Sequence, residues 1–200
     1  MTKIAINIVL LPSKKMMDTI IEINKELLKT NRNKIILGTK MNLPHISLCM
    51  GGIDENEISK IINVINEISK NFTSFDFEGK LKVQKSSSAE KITWVEILNK
   101  TKIQSLHDTI MNKMWTYLNY DIDNHMFYNP EEIEKETIPW IKYFSDLYIE
   151  PSLFNPHITV GIGKTDKLDR IINFSSSRIA IFQLGNYCTC KKLIHSTNLI

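Results

Sequence analysis

Glycine and proline are scarce in this chain, 7 and 6 of 200 residues, and cysteine is scarcer still at 3. With no low-complexity run longer than Ser86-Ser87-Ser88 or Ser175-Ser176-Ser177, this composition excludes a disordered or fibrous protein, and both triplets read as loops. The cysteines, Cys49, Cys188 and Cys190, supply no disulfide framework. Cys188-Thr189-Cys190, with both thiols expected on one face of a strand, has no second ligand pair and reads as structural. No hydrophobic stretch is long enough to span a membrane, and the apolar start from Met1 to Pro12 alternates and ends at proline, unlike a signal peptide. A cytoplasmic monomer without membrane contact is the expectation. There is no repeat of fixed short period.

What is present is a 42% hydrophobic chain, enough for one buried core or two closely packed lobes. The net charge of +3 does not by itself announce nucleic-acid binding. Its distribution is uneven. Between Asp121 and Glu150 eight acids face two lysines, a local balance of −6, so the remainder carries +9, which suits a phosphate-attracting cleft where lysines converge.

Ile4 to Leu11 reads as a buried strand stopped by Pro12-Ser13. Met16, Ile20, Ile23 and Leu27 then predict a helix from a Ser13 cap to about Lys29. A strand over Leu43 to Met50, stopped by Gly51-Gly52, precedes a helix capped by Asp54 and striped by Ile58, Ile61, Ile62, Ile65 and Ile68. Strands at Phe75–Val83 and Ile92–Leu98 flank the first serine triplet, and Ile103, Leu106, Ile110, Met114 and Tyr117 mark a third helix. The acidic, aromatic stretch at about 121–150 is partly helical from Glu131 to Tyr148, broken by prolines, and reads as an insertion or lid. A strand at His157–Ile162, a short helix near Lys167–Ile172, and strands at Ile179–Leu184 and Lys191–His195 complete an α+β chain.

One five-residue pattern occurs twice: Pro44-His45-Ile46-Ser47-Leu48 and Pro156-His157-Ile158-Thr159-Val160. On a strand, His45 and Ser47 share one face and Ile46 and Leu48 the other; His157 and Thr159 are disposed likewise. Two of five histidines followed by apolar, Ser/Thr, apolar would arise by chance roughly 0.7% of the time, before the two prolines are counted. The chemistry supplies a reason for the pattern. Imidazole titrates near neutrality, so one ring serves as base and a second as acid, which opening or hydrolysing a phosphodiester requires. Hydroxyls two residues on can donate to the non-bridging phosphate oxygens.

Two such motifs, separated by about half the chain, resemble those of the two-histidine (2H) phosphoesterase superfamily, which includes the 2′,5′ RNA ligase-like proteins and RNA 2′,3′-cyclic phosphodiesterases. The resemblance implies a bilobal α+β fold over residues 1–200, with two antiparallel sheets flanking a cleft and helices outside. It implies hydrolysis of 2′,3′-cyclic or 2′–5′ phosphodiesters of RNA ends or small nucleotides, with no metal and no cofactor. His45 and His157 then carry over as catalytic residues, and Ser47 and Thr159 as phosphate binders. Ser47 stands where threonine is commoner, and the acidic segment is not a feature of the minimal fold. A binding module without turnover and an RNA-end ligase are the alternatives.

The other candidates are weaker on sequence grounds. His107 is expected to face solvent, His195 to lie at the surface, and His125, beside Asp121 and Asp123, lacks a third metal ligand at set spacing. Trp94 and Tyr187 read as core before they read as base-stacking residues, and Lys14 and Lys15 as a solvated helix end. Since the paired histidines are committed to proton transfer and the cysteines lack partners, turnover is expected to persist in excess EDTA. Loss of activity that a divalent ion restores would point instead to a metal-dependent phosphoesterase.

Overall fold

The computed structural model describes residues 2–30, 35–85, 90–129, 133–167 and 170–200. Strand β1, Lys3–Pro12, is buried along nearly its whole apolar length. Helix α1, Lys14–Thr30, starts after Ser13, whose carbonyl accepts the Met17 N–H at 2.9 Å, and buries the Met16, Ile20, Ile23 and Leu27 stripe. Strand β2, Ile46–Asp54, runs straight through Gly51-Gly52 rather than stopping there. A Cβ would lie 2.7 Å from Leu118 Cδ2 at Gly51 and 2.9 Å from Asn119 Oδ1 at Gly52. The missing side chains thus admit a crossing segment, which is bonded through Gly52 N to Asn119 O at 2.8 Å and Asn119 N to Gly52 O at 2.9 Å.

Asp54 opens a 3₁₀ turn without capping it through its side chain, ahead of α2, Ile58–Ser69. Then come β3 (Phe75–Lys85), β4 (Lys91–Ile97), α3 (Thr101–Met114), α4 (Thr137–Ile149), β5 (His157–Ile162), β6 (Ile171–Leu184) and β7 (Cys190–Asn198). The first serine triplet, with Glu131 and Glu132, lies outside the described residues. The helix expected near Lys167–Ile172 does not form over its last residues: Ile171 and Ile172 open β6, paired with Lys80 and Gly79 of β3. Two β-branched residues beside an available strand edge favour the ladder over a helical turn. Cys188 likewise shares no strand face with Cys190, because it sits in the β6–β7 turn at φ 55°. Among the described residues, no helix is long and apolar enough to cross a membrane.

The strands form one antiparallel network in the order β1-β2-β5-β4-β3-β6-β7, with β1 also paired to β6. The 14-residue β6 divides it into two leaves. Its first half pairs β3 from Ile171 to Ser176, while its second half carries β1 on one edge and β7 on the other. One leaf is therefore β2-β1-β6-β7 and the other β5-β4-β3-β6. They meet again at a single antiparallel pair, Ile46 of β2 with Ile158 of β5. Helix α1 docks on β5, α2 on β7 and α3, and both α3 and α4 on β2. At about 25 cal/mol per Å² of apolar surface removed from water, these interlocked faces supply the main stabilisation.

Candidate active site

Ile46 and Ile158, the pair that joins the leaves, are both fully buried. Side chains alternate along a strand, so burying these two turns their neighbours to the opposite, cleft side. In antiparallel register, one step on either side sets His45 beside Thr159 and Ser47 beside His157. The four residues singled out by the repeated pattern thus converge. All four line one cavity of about 510 Å³, within the range of small-ligand sites.

Each imidazole is oriented by the same local device. His45 Nδ1 lies 2.7 Å from the Leu43 carbonyl, and His157 Nδ1 lies 2.8 Å from the Asn155 carbonyl. A carbonyl only accepts, so each Nδ1 carries the proton and each Nε2 keeps its lone pair. The intervening Pro44 and Pro156 hold the residue before them extended, which fixes where that carbonyl points. The prolines of the motif are therefore part of the site. Asn7, fully buried in β1, donates from Nδ2 to Ser47 Oγ at 2.8 Å and lies 3.4 Å from His45 Nε2. Sequence reasoning passed over Asn7, although a lone amide within Ile4–Leu11 was a visible signal.

Beyond each motif hydroxyl the strand carries a bulge. Ile8 pairs Cys49 and Val9 pairs Ser47, which leaves Leu48 extra; Thr93 pairs Gly161 and Trp94 pairs Thr159, which leaves Val160 extra. The Leu48 carbonyl accepts a bond from His107 Nδ1 of α3 at 2.7 Å, and the Val160 carbonyl from Asn24 Nδ2 of α1 at 2.7 Å. Asn24 further joins Ile35 O at 2.9 Å and Leu37 N at 3.0 Å. His107 is 1% exposed and stacks on Phe154 at 3.8 Å, which corrects the solvent-facing expectation. Its helical stripe of Ile103, Leu106 and Ile110 faces the core, and the freed bulge carbonyl needs a buried donor there. Neither anchor is distinguishable in sequence from an ordinary helix residue.

Burial pushes the His45 pKa down to about 4; the Leu43 bond opposes the shift and the neighbouring His157 adds to it. Burial also lowers that of His157, opposed by the Asn155 bond and assisted by Lys100. Lys100 donates to Asn155 Oδ1 at 2.6 Å, which places its charge beside the backbone support of this ring. The resting site is therefore a neutral pair, whose protonation an arriving phosphate anion would favour. The Trp94 and His157 rings meet at 4.7 Å between centroids and 65° between planes, so this strand tryptophan stands at the site instead of in the closed core.

The rest of the cavity wall is largely apolar. Trp140, Tyr143, Phe144 and Leu147 come from α4, Tyr187 from the β6–β7 turn, and Ile35 and Leu37 from the stretch Asn24 holds. None of the described acids at 121–150 lines it. His125 is exposed, and among the described residues no group of three potential ligands is arranged to hold a metal ion. His195 is half-buried, with Nε2 2.8 Å from Asn66 Oδ1, so it is not a free surface residue. Lys14 pairs with Asp18 at the exposed start of α1.

The architecture is thus two-leaved α+β, with one histidine motif on each leaf facing a shared cleft. No family model and no curated protein matches the chain in sequence. Solved structures do match in fold. E. coli LigT in its apo form aligns with TM-score 0.60 at 8% identity, covering 100% of this chain and 99% of that one. TT0787 of Thermus thermophilus aligns at 0.59 and 10% over 98% of both chains, and E. coli LigT complexed with ATP at 0.52 and 9% over 99% of both. The chain has the LigT-type fold over its whole length.

Two outcomes follow from this geometry. His107→Phe and Asn24→Leu should each lower unfolding free energy in urea by about 1–3 kcal/mol, because a buried bulge carbonyl loses its donor. Wild-type stability in both would remove these side chains as anchors. Because the folded chain holds His45 neutral while the unfolded chain binds a proton below about pH 6.5, stability should be full above 6.5 and fall as pH drops towards about 4. His45→Gln should flatten that decline; an unchanged slope would mean that His45 titrates normally in the fold.

Proposed function

We propose that the chain is a phosphodiesterase acting on 2′,3′-cyclic or 2′–5′ linked nucleotides or RNA ends, with His45 and His157 as its acid–base pair. The observation that carries this reading is the matched orientation of the two rings. Each has its Nδ1 proton committed to a carbonyl two residues upstream, which leaves both Nε2 atoms for proton transfer in one cavity. A core or structural histidine has no need of such duplication.

In the forward reaction a water oxygen attacks phosphorus while one imidazole Nε2 takes its proton. The bond from phosphorus to a ribose oxygen breaks, and the protonated second imidazole gives that oxygen a proton. The Asn7 amide directed at His45 Nε2 suits an unprotonated ring, so His45 is the base in this scheme and His157 the acid. Ser47 and Thr159 would donate to the non-bridging oxygens as charge builds there, with Asn7 fixing the Ser47 hydroxyl. Nucleotide ligands fit the fold, since a protein of this architecture has been solved with ATP.

His45→Ala and His157→Ala should each lower kcat by about 10²–10⁴-fold while the far-ultraviolet circular dichroism remains that of the native fold. Ser47→Ala and Thr159→Val, each losing one donor, should cost about 10–10³-fold. The assay is a panel of 2′,3′-cyclic mononucleotides, 2′–5′ dinucleotides and RNA with a cyclic end. Near-normal turnover in either histidine variant would overturn the assignment.

A further inference from the structure

The two histidine motifs are matched along their strands and differ in what stands behind them. The carbonyl that holds His45 belongs to Leu43, whose aliphatic side chain offers no polar group. The corresponding place before Pro156 is taken by Asn155. Its Oδ1 accepts from Lys100 Nζ at 2.6 Å, and its backbone oxygen accepts from His157 Nδ1 at 2.8 Å. One residue thus receives both a lysine and an imidazole.

Lys100 occupies an unfavourable place for a cation. It is the N-cap of α3, where unpaired N–H groups concentrate positive charge, and the first turn of that helix contains no acid. Half-buried, it forms no ion pair among the described residues, and its ammonium rests on a neutral amide. The groups around His157 do not compensate for it. Glu96 lies opposite His157 in the β4–β5 ladder, but its carboxylate is held at 3.3 Å by Lys82 of β3, the strand on the other side of β4. The other titratable groups bordering the cavity are His45 of β2, Lys85 of β3, Tyr143 of α4 and Tyr187 of the β6–β7 turn, none of which carries a carboxylate. A carboxylate behind an imidazole stabilises its protonated form, and a lysine does the reverse. Burial is the larger influence against a proton on His157, and Lys100 adds to it.

We propose that Lys100 is a positioning residue for the general acid: seated on the Asn155 side chain, it locks the carbonyl that orients His157 and sets a fixed charge behind the ring, which drives the Nε2 proton towards the leaving oxygen. This rests on the phosphodiesterase reading and assigns the acid from the asymmetry between the motifs. A bound phosphate anion offsets the lysine and loads the ring with its proton. As the bond from phosphorus to the leaving oxygen breaks, the Nε2–H bond breaks with it. The oxygen takes the proton, and the ring returns to the neutral form that Lys100 favours.

The test follows the His157 ring resonances by NMR from about pH 4.5 to 8 in the wild type, Lys100→Gln, Lys100→Arg and Asn155→Asp, with His157→Gln giving the assignment. Gln keeps a donor without the charge, and Asp keeps the acceptor while neutralising the lysine. Both should raise the titration midpoint of the ring by roughly 0.5–1 pH unit, whereas Arg should leave it at the wild-type position. In turnover of 2′,3′-cyclic AMP, the Gln and Asp variants should move the alkaline limb of kcat/KM to higher pH and lower its plateau, and Arg should keep the wild-type profile. A midpoint that neither Gln nor Asp moves, or an equal loss of activity at every pH, would overturn the proposal. If no ester is turned over, the phosphodiesterase reading fails, while a raised midpoint in both variants still upholds the hold of Lys100 on the ring. An unmoved midpoint refutes it in either case.

Discussion

The backbone pair between Ile46 and Ile158 sits between two histidines and two hydroxyls, and the disposition of the cleft depends on it. Both isoleucines are packed into the core with no exposed surface. Sliding either strand by one residue would drive an imidazole and a hydroxyl into that core and expose an isoleucine, so burial itself specifies the register. At the opposite side the leaves share β6, whose two halves serve different partners. The hinge of the architecture and its chemistry therefore occupy different strands.

Support for the two motifs is nearly twofold in design and different in residue type. A bulge follows each hydroxyl, and a helix from elsewhere in the chain satisfies each bulge carbonyl, by imidazole on one side and amide on the other. The immediate surroundings differ more. His45 has a buried amide beside it, whereas His157 has an indole ring against it and a lysine close to its backbone support. Both rings are kept neutral chiefly by burial, so the charge of a bound phosphate and the protonation of the pair are linked.

The walls of the cavity come from segments that the repeated motifs do not include. Helix α4 lies within the acidic stretch, yet it turns aromatic and aliphatic side chains to the cavity and leaves the described acids elsewhere. A reading of that stretch by net charge alone therefore misjudges what a ligand would meet. A helix separates its faces, so sequence-average charge says little about the face turned inward.

The sequence by itself determined the strands that carry the histidines, the hydroxyls that share their face, and most helices, because these depend on local periodicity and on a pattern occurring twice. Tertiary structure alone decided that Gly51-Gly52 lie inside a strand, that Ile171 and Ile172 belong to β6, and that His107 is a buried anchor. It also decided the roles of Asn7, Asn24 and Lys100. Each of these is fixed by a partner tens of residues away: a crossing segment, a neighbouring strand edge or a bulge carbonyl. Local propensities differ by only about 1 kcal/mol, and a buried polar group without a partner costs more than that. Contacts between distant segments therefore prevail wherever the two conflict.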